Sequence, residues 1–267
     1  MSYKIYDLSE LFGDGTLMWP RLVGPISVPK RAFAGVTEMS HPGYPLHLAT
    51  PLPSWPQIQK GAYEGHYHAA THIDAPIHVI DYGPDLDKIP LENCYGTGVV
   101  IDFRNKKKWD KITAEDFEKA TPKIEPGDFV VCNTGWHKYW GQKEYVYFHH
   151  YPGLVPSGAE WLINKKVKAI AGTWATSDHS LAYAPLQRNL PHLYNEYKQE
   201  IGKDPGQEFP DYEPCLKMLI KKEIVCIQSA GGDIDKVTGK RCTLAAFPFR
   251  MDDADAGMVR LVAIVAE

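Results

Sequence analysis

A chain of 267 residues with 44% hydrophobic and 12% aromatic content has enough apolar material for a sizeable core, which excludes a disordered protein. Its formal net charge of −4, with both signs interspersed, leaves no basic face and excludes a nucleic-acid footprint. No run approaches the roughly 18 apolar residues of a membrane span, and Met1 to Asp7 carries charges where a signal peptide needs an apolar centre, so a cytoplasmic protein is expected. Five dispersed cysteines (Cys94, Cys132, Cys215, Cys226, Cys242) with no C-x-x-C pair read as reduced thiols, with Cys132 and Cys226 as core residues.

In chain order, Tyr3 to Leu11 reads as a strand and turn. Residues 14–57 are rich in Gly and Pro without a steady period, which predicts loops and short strands, with an arm that can reach another subunit. Trp19, Met39 and Trp55 there read as core or pocket lining; His41 and His47 carry no argument. After the turn Gly83-Pro84-Asp85, Thr97 to Phe103 reads as a buried strand. Thr113-Ala-Glu-Asp116 has the form of a capping box opening a helix, and Ser157-Gly-Ala-Glu160 repeats it. Phe129 to Thr134, Val167 to Gly172 and Ile224 to Gln228 read as strands, and Glu213 to Lys222 as an amphipathic helix. His149-His150 reads as a surface loop. Thr243 to Met251 and Met258 to Val265 close the chain as strands joined by residues 252–257. Strand–helix alternation in the second half makes the class α/β, and the absence of a linker or repeat makes one domain over 1–267 the expectation.

The chemistry concentrates in residues 66–78, which hold four of the eleven histidines. His68, His72, Asp74 and His78 are all even-numbered, while Ala69, Thr71, Ile73, Ala75, Ile77 and Val79 occupy the odd positions. On an extended chain, successive side chains point to opposite faces. The small and apolar groups would then enter the core, leaving three imidazoles and a carboxylate on the other face. Pro76 argues against a helix through the run. Such a face is a divalent-metal ligand set, or a ligand set plus a proton-transfer group. His66 shares the parity and reads as a surface residue.

The pattern His68-x-x-Thr71-His72-x-Asp74-x-Pro76-x-His78 resembles the H-x-G-T-H-x-D-x-P-x-H signature of the metal-dependent cyclase hydrolase family, which includes bacterial kynurenine formamidase and isatin hydrolase. Thr134-Gly135-Trp136 and Val259 to Ile264 extend the resemblance along the chain. It implies a swivelling β/β/α fold, a central mixed sheet with flanking helices, and a homodimer or tetramer. Ala70 stands where the family has Gly, which asks for a negative φ or tolerated strain.

In the family's two-metal members, a His on a helix and a Glu twelve residues later complete a second metal position. The corresponding residues here are Leu216 and Gln228. Losing an imidazole and a negative charge disables a second dication site. Gln followed by Ser is similar to the single-manganese isatin hydrolase branch. The resemblance thus implies one ion per subunit, Mn²⁺ with Zn²⁺ as the alternative, held by His68, His72, Asp74 and Gln228. His78 would carry the proton, and Ser229 would bond the attacking water or simply the backbone. His179 and His192 are candidates for the space left at 216, whereas the adjacency of Ser177-Asp178-His179 argues against a triad. The expected activity is opening of a small cyclic amide, with arylformamide or lactone hydrolysis as alternatives. A second class is a family member that binds a small ligand without turnover.

Overall fold

Four apolar runs build the middle of a nine-stranded mixed sheet in the computed structural model, which describes residues 2–12, 67–182 and 185–267. Trp19, Met39, His41, His47, Trp55 and His66 lie outside the described residues. The strands are β1 (Tyr3–Asp7), β2 (His72–Asp74), β3 (Tyr95–Asp102), β4 (Lys111–Ile112), β5 (Phe129–Asn133), β6 (Gly153–Leu154), β7 (Ala169–Gly172), β8 (Val225–Gln228), β9 (Arg241–Ala245), β10 (Ala256–Met258) and β11 (Val262–Ala266). Their order in the large sheet is β1-β11-β9-β3-β5-β7-β8-β2-β10, with β4 and β6 forming a separate pair. The neighbours β3, β5, β7 and β8 run parallel, and both wings are antiparallel.

The central strands are apolar without alternation because both faces of the sheet are covered. Phe129 and Val131 of β5 join Val100, Ala171 and Ile227 in one core; Val130 and Cys132 join Ile101, Ile170 and Cys226 in the other. The flanking helices are α1 (Ala114–Lys119), α2 (Glu144–His149), α3 (Pro156–Lys165), α4 (Leu186–Asn189), α5 (Pro191–Ile201), α6 (Pro205–Glu208), α7 (Pro214–Ile220) and α8 (Ile234–Val237). Phe117 of α1, Leu162 of α3 and Leu219 of α7 seal the second core.

The expected capping box at Thr113 and Asp116 is present. The one expected at Ser157 is not: α3 begins at Pro156 with Val155 as its N-cap. Proline is preset for the first helical position and starts the helix two residues earlier than a Ser157 cap would. The strand expected to run from Thr243 to Met251 stops at Ala245, short of Pro248, which has no N–H to extend a ladder. The joining segment 252–257 instead runs into β10, which pairs with β2. His149 and His150, expected on a surface loop, are buried at the end of α2, their rings against Tyr145.

Residues 259–261 link β10, at one end of the strand order, to β11, near the other. So short a link spans roughly 14 Å at most, whereas eight flat strands at about 4.8 Å spacing would need more than twice that. The sheet therefore curls on itself. The bridge between Ser9 and Ala230, with Gly231 N donating to Leu8 O at 2.8 Å, brings the exit of β1 to the exit of β8.

Only His72–Asp74 of the histidine run is a strand. Ala70 turns the chain into it at φ 49°, in the left-handed region, so the strain is present and tolerated. Pro76 to His78 turn it out as a 3₁₀ turn. The odd residues Ala69, Thr71, Ile73 and Ala75 are buried as their parity predicts, but Ile77 and Val79, past the strand, are only partly buried, and the even His72 and Asp74 are buried as well.

His179 lies in the core, fully buried, stacked on Phe209 with ring centroids 4.1 Å apart. Its Nε2–H donates to Trp109 O at 2.9 Å and its Nδ1 accepts from Leu181 N at 3.2 Å, so both nitrogens are used by a neutral ring. Burial pushes its pKa down to about 4. The unfolded chain binds this proton below about 6.5 and the folded one does not. Stability is therefore lost as pH falls from about 6.5 to about 4, by on the order of 3 kcal/mol for this group. Urea melts between pH 7 and pH 5 check the slope, which should flatten in His179→Gln. Ala70→Gly should relieve about 1–2 kcal/mol of left-handed strain, partly offset by chain entropy, and raise the thermal midpoint by about 2 °C.

Candidate metal centre

β2 lies between β8 and β10, pairing His72 with Gln228 on one side and with Met258 on the other. Alternation sends Ile73 into the core and turns His72, Asp74 and Gln228 to the opposite face. That face is the floor of a cavity walled by Trp140, Phe148, Thr176, Tyr212, Glu213 and Leu216. His68 and His78 lie outside the strand, and the bends at Ala70 and Pro76 bring their rings together with centroids 4.3 Å apart. The extended segment expected over the whole run is thus a three-residue strand between two turns, and the turns, not the strand, deliver the outer histidines.

Asp74 is the centre of the cluster. Its Oδ1 is inaccessible to water, 2.9 Å from His68 Nδ1 and 3.4 Å from His72 Nε2, yet accepts no hydrogen bond. His72 Nδ1–H donates to Ala70 O at 2.9 Å, which leaves the Nε2 lone pair facing this oxygen. Two imidazole nitrogens and a carboxylate oxygen without a hydrogen bond converge there as a donor set, and a dication would displace the proton that His68 carries, so these residues fit a divalent ion. His68, Asp74 and His78 also place one ligand-type atom each within 4.8 Å of the others. Burial alone would raise the pKa of Asp74, but the imidazoles of His68 and His72 hold it well below the usual range.

Asp255, on the loop before β10, closes the far side. Its Oδ2 lies 3.1 Å from His68 Nε2 and 3.2 Å from His78 Nδ1. Burial works against charge on His68, but the carboxylates of Asp255 and Asp74 outweigh it and raise its pKa to about 10. The two imidazoles in turn hold Asp255 far below its ordinary value.

Gln228 stands beside the cluster, but not through the amide oxygen expected from the sequence. Its Nε2–H₂ donates to Asp74 Oδ2 at 2.9 Å, and its Oε1 accepts from Ser177 Oγ at 3.4 Å. The charged carboxylate is the stronger acceptor, so it takes the amide's donors and Asp74 is anchored from behind. Ser229 lines the cavity at φ 55°, its carbonyl held by Thr71 Oγ1 at 2.6 Å. Neither His179 nor His192 lines the cavity; His192 packs against Tyr145 and His149. Leu216 does line it, and among the described residues neither of the two candidate imidazoles takes the space at 216.

Sequence reasoning missed two acids. Asp255 lay in a segment read as a loop. Glu213, the N-cap of α7 at φ 45°, is buried and lines the cavity. Burial first, then the carboxylates of Asp178 and Asp74, push its pKa up to about 7. Among the described residues no helix is long and apolar enough to cross a membrane.

Comparison with known proteins bears on the family and the fold. The family described as "Putative cyclase" matches residues 6–178. Cyclase-like protein 3 of Oryza sativa subsp. japonica is 34% identical over 110 residues, which span 39% of this chain and 38% of the rice protein. Among solved structures, an isatin hydrolase bound to the product analogue thioisatinate is similar with a TM-score of 0.72 at 19% identity, covering 99% of this chain and 93% of that one. A potential metal-dependent hydrolase with cyclase activity is similar with a TM-score of 0.66 at 18% identity, covering 100% of both chains. The structural likeness is one of fold; the family match extends over more than half the chain and includes every residue from His68 to His78. The chain belongs to the cyclase family.

Proposed function

We propose that this protein is a metal-dependent hydrolase that opens a small cyclic amide, of the isatin type, with water as the nucleophile. The observation that carries this reading is the orphaned, water-excluded Oδ1 of Asp74 with two imidazole nitrogens converging on it. His68, His72 and Asp74 would hold one ion, Mn²⁺ or alternatively Zn²⁺, with the Gln228 amide fixing Asp74. A dication bound there polarises a substrate carbonyl and makes a water acidic enough to deprotonate near neutral pH.

The remaining work falls to the chain's own side chains. His78 is not needed to hold the ion, and its Nδ1 is engaged by Asp255, which leaves Nε2 to take the proton from the attacking water. The same imidazolium then returns the proton to the leaving nitrogen, so the ring opens to an amine and a carboxylate. Ser229, on the cavity wall, would hydrogen-bond the attacking water. Trp140, Phe148 and Leu216 give an apolar wall for a flat ring, and the likeness in fold to an isatin hydrolase supports a substrate of that shape.

Elemental analysis of purified protein, followed by assays of isatin, N-formylkynurenine and simple lactones with and without Mn²⁺, tests the reading. The expected result is bound Mn or Zn and turnover of the cyclic amide. A metal-free protein inert toward all three, with Mn²⁺ supplied, would sink it and leave a binding protein. His72→Ala should lose both ion and turnover. His78→Ala should keep the ion and lose roughly 10²- to 10⁴-fold in kcat. Loss of the ion in His78→Ala would make His78 a ligand instead.

A further inference from the structure

We infer that Asp255 is a positioning residue that sets the tautomers of two histidines at once, turning one toward the ion and the other toward the substrate; the inference rests on the metal-hydrolase reading above. One carboxylate oxygen, Asp255 Oδ2, is shared by His68 Nε2 at 3.1 Å and His78 Nδ1 at 3.2 Å. An ionised carboxylate accepts and never donates, so both of those ring nitrogens carry hydrogen. A dication displaces the second hydrogen of His68, and each ring, once neutral, is left with one lone pair. On His68 it is at Nδ1, the atom 2.9 Å from Asp74 Oδ1 and facing the cation position. On His78 it is at Nε2, the far side of the ring from Asp255. Without the shared acceptor either ring is free to place its hydrogen on the other nitrogen. His68 would then present an N–H to the ion, and His78 an N–H where a base is needed.

The backbone makes this coupling rigid. Ala75 N donates to Asp255 O at 2.8 Å, and the next residue, Ala256, pairs with Asp74 in the β2–β10 ladder. The carboxylate is thereby tied to the strand that carries Asp74 and His72. Its side chain is nearly half exposed, so it is not a structural core group. A buried carboxylate orienting one imidazole is a familiar arrangement at metal and hydrolase sites. Here a single oxygen serves both purposes.

Zn²⁺, a diamagnetic probe, titrated into protein labelled with ¹⁵N-histidine tests the inference without substrate. In the wild type, the expected state is His68 protonated at Nε2 and metallated at Nδ1, with neutral His78 protonated at Nδ1. Asp255→Asn, whose amide can also donate, should weaken Zn²⁺ binding by roughly 10- to 100-fold and give His78 mixed tautomers. Opposite tautomers in the wild type would overturn the inference without any variant. So would an Asp255→Asn protein that binds Zn²⁺ as tightly as wild type with both tautomers unchanged. A wild type that binds no Zn²⁺ would instead overturn the metal-hydrolase reading.

Discussion

An ionised carboxylate shut away from water is costly unless its charge is met at close range. Asp74 is such a group, fixed on β2 between two antiparallel neighbours that leave its backbone no freedom. One oxygen is satisfied by the Gln228 amide; the other is faced by two imidazoles and bonded by neither. The surrounding architecture serves to hold that half-satisfied state. The curled sheet brings β10 to the edge of β2, Asp255 arrives with it, and the bend at Ala70 lends its carbonyl to His72. A hydrophobic replacement at 74 could fill the space, but it would leave His68 and His72 with no reason to point inward.

Parity made the site legible in sequence, because the direction of side chains on a strand is a period-two property and the odd residues from Ala69 to Ala75 do enter the core, although Ile77 and Val79 do so only in part. Its limit was length. The strand ends at Asp74, and the groups at 68 and 78 share the site because a left-handed residue and a proline turn fold the chain back over it. The central strands were equally legible as unbroken apolar runs. β10 was not: Asp252 to Gly257 is polar and small, and only its pairing with β2 makes part of it a strand. Asp255 was hidden for the same reason. Glu213 was hidden because a residue opening an amphipathic helix is ordinarily solvated, and nothing local reveals that α7 points its N-terminus into a cavity. Spacing paired Gln228 with Leu216, and both line the cavity, but the direction of its amide depends on which acceptor is nearest in three dimensions.

The placement of Glu213 bears on the chemistry the cavity can support. Glu213, the N-cap of α7, and Leu216 in its first turn both line the cavity. Leucine there denies a second cation an imidazole, while burial beside Asp178 and Asp74 disfavours a charge on Glu213 and brings its titration to about 7. A carboxyl that is neutral for part of the time is a poor ligand for a hard cation and a good hydrogen-bond donor or acceptor for an uncharged substrate. The cavity is therefore electrostatically divided. Full charges gather around Asp74, and the rest of the lining offers aromatic surface, the Leu216 side chain and a weakly acidic hydroxyl. The proposed neutral, flat amide, with its carbonyl toward the cluster, would suit both parts of this lining. A substrate carrying its own carboxylate on the ring would set that charge against the buried Glu213.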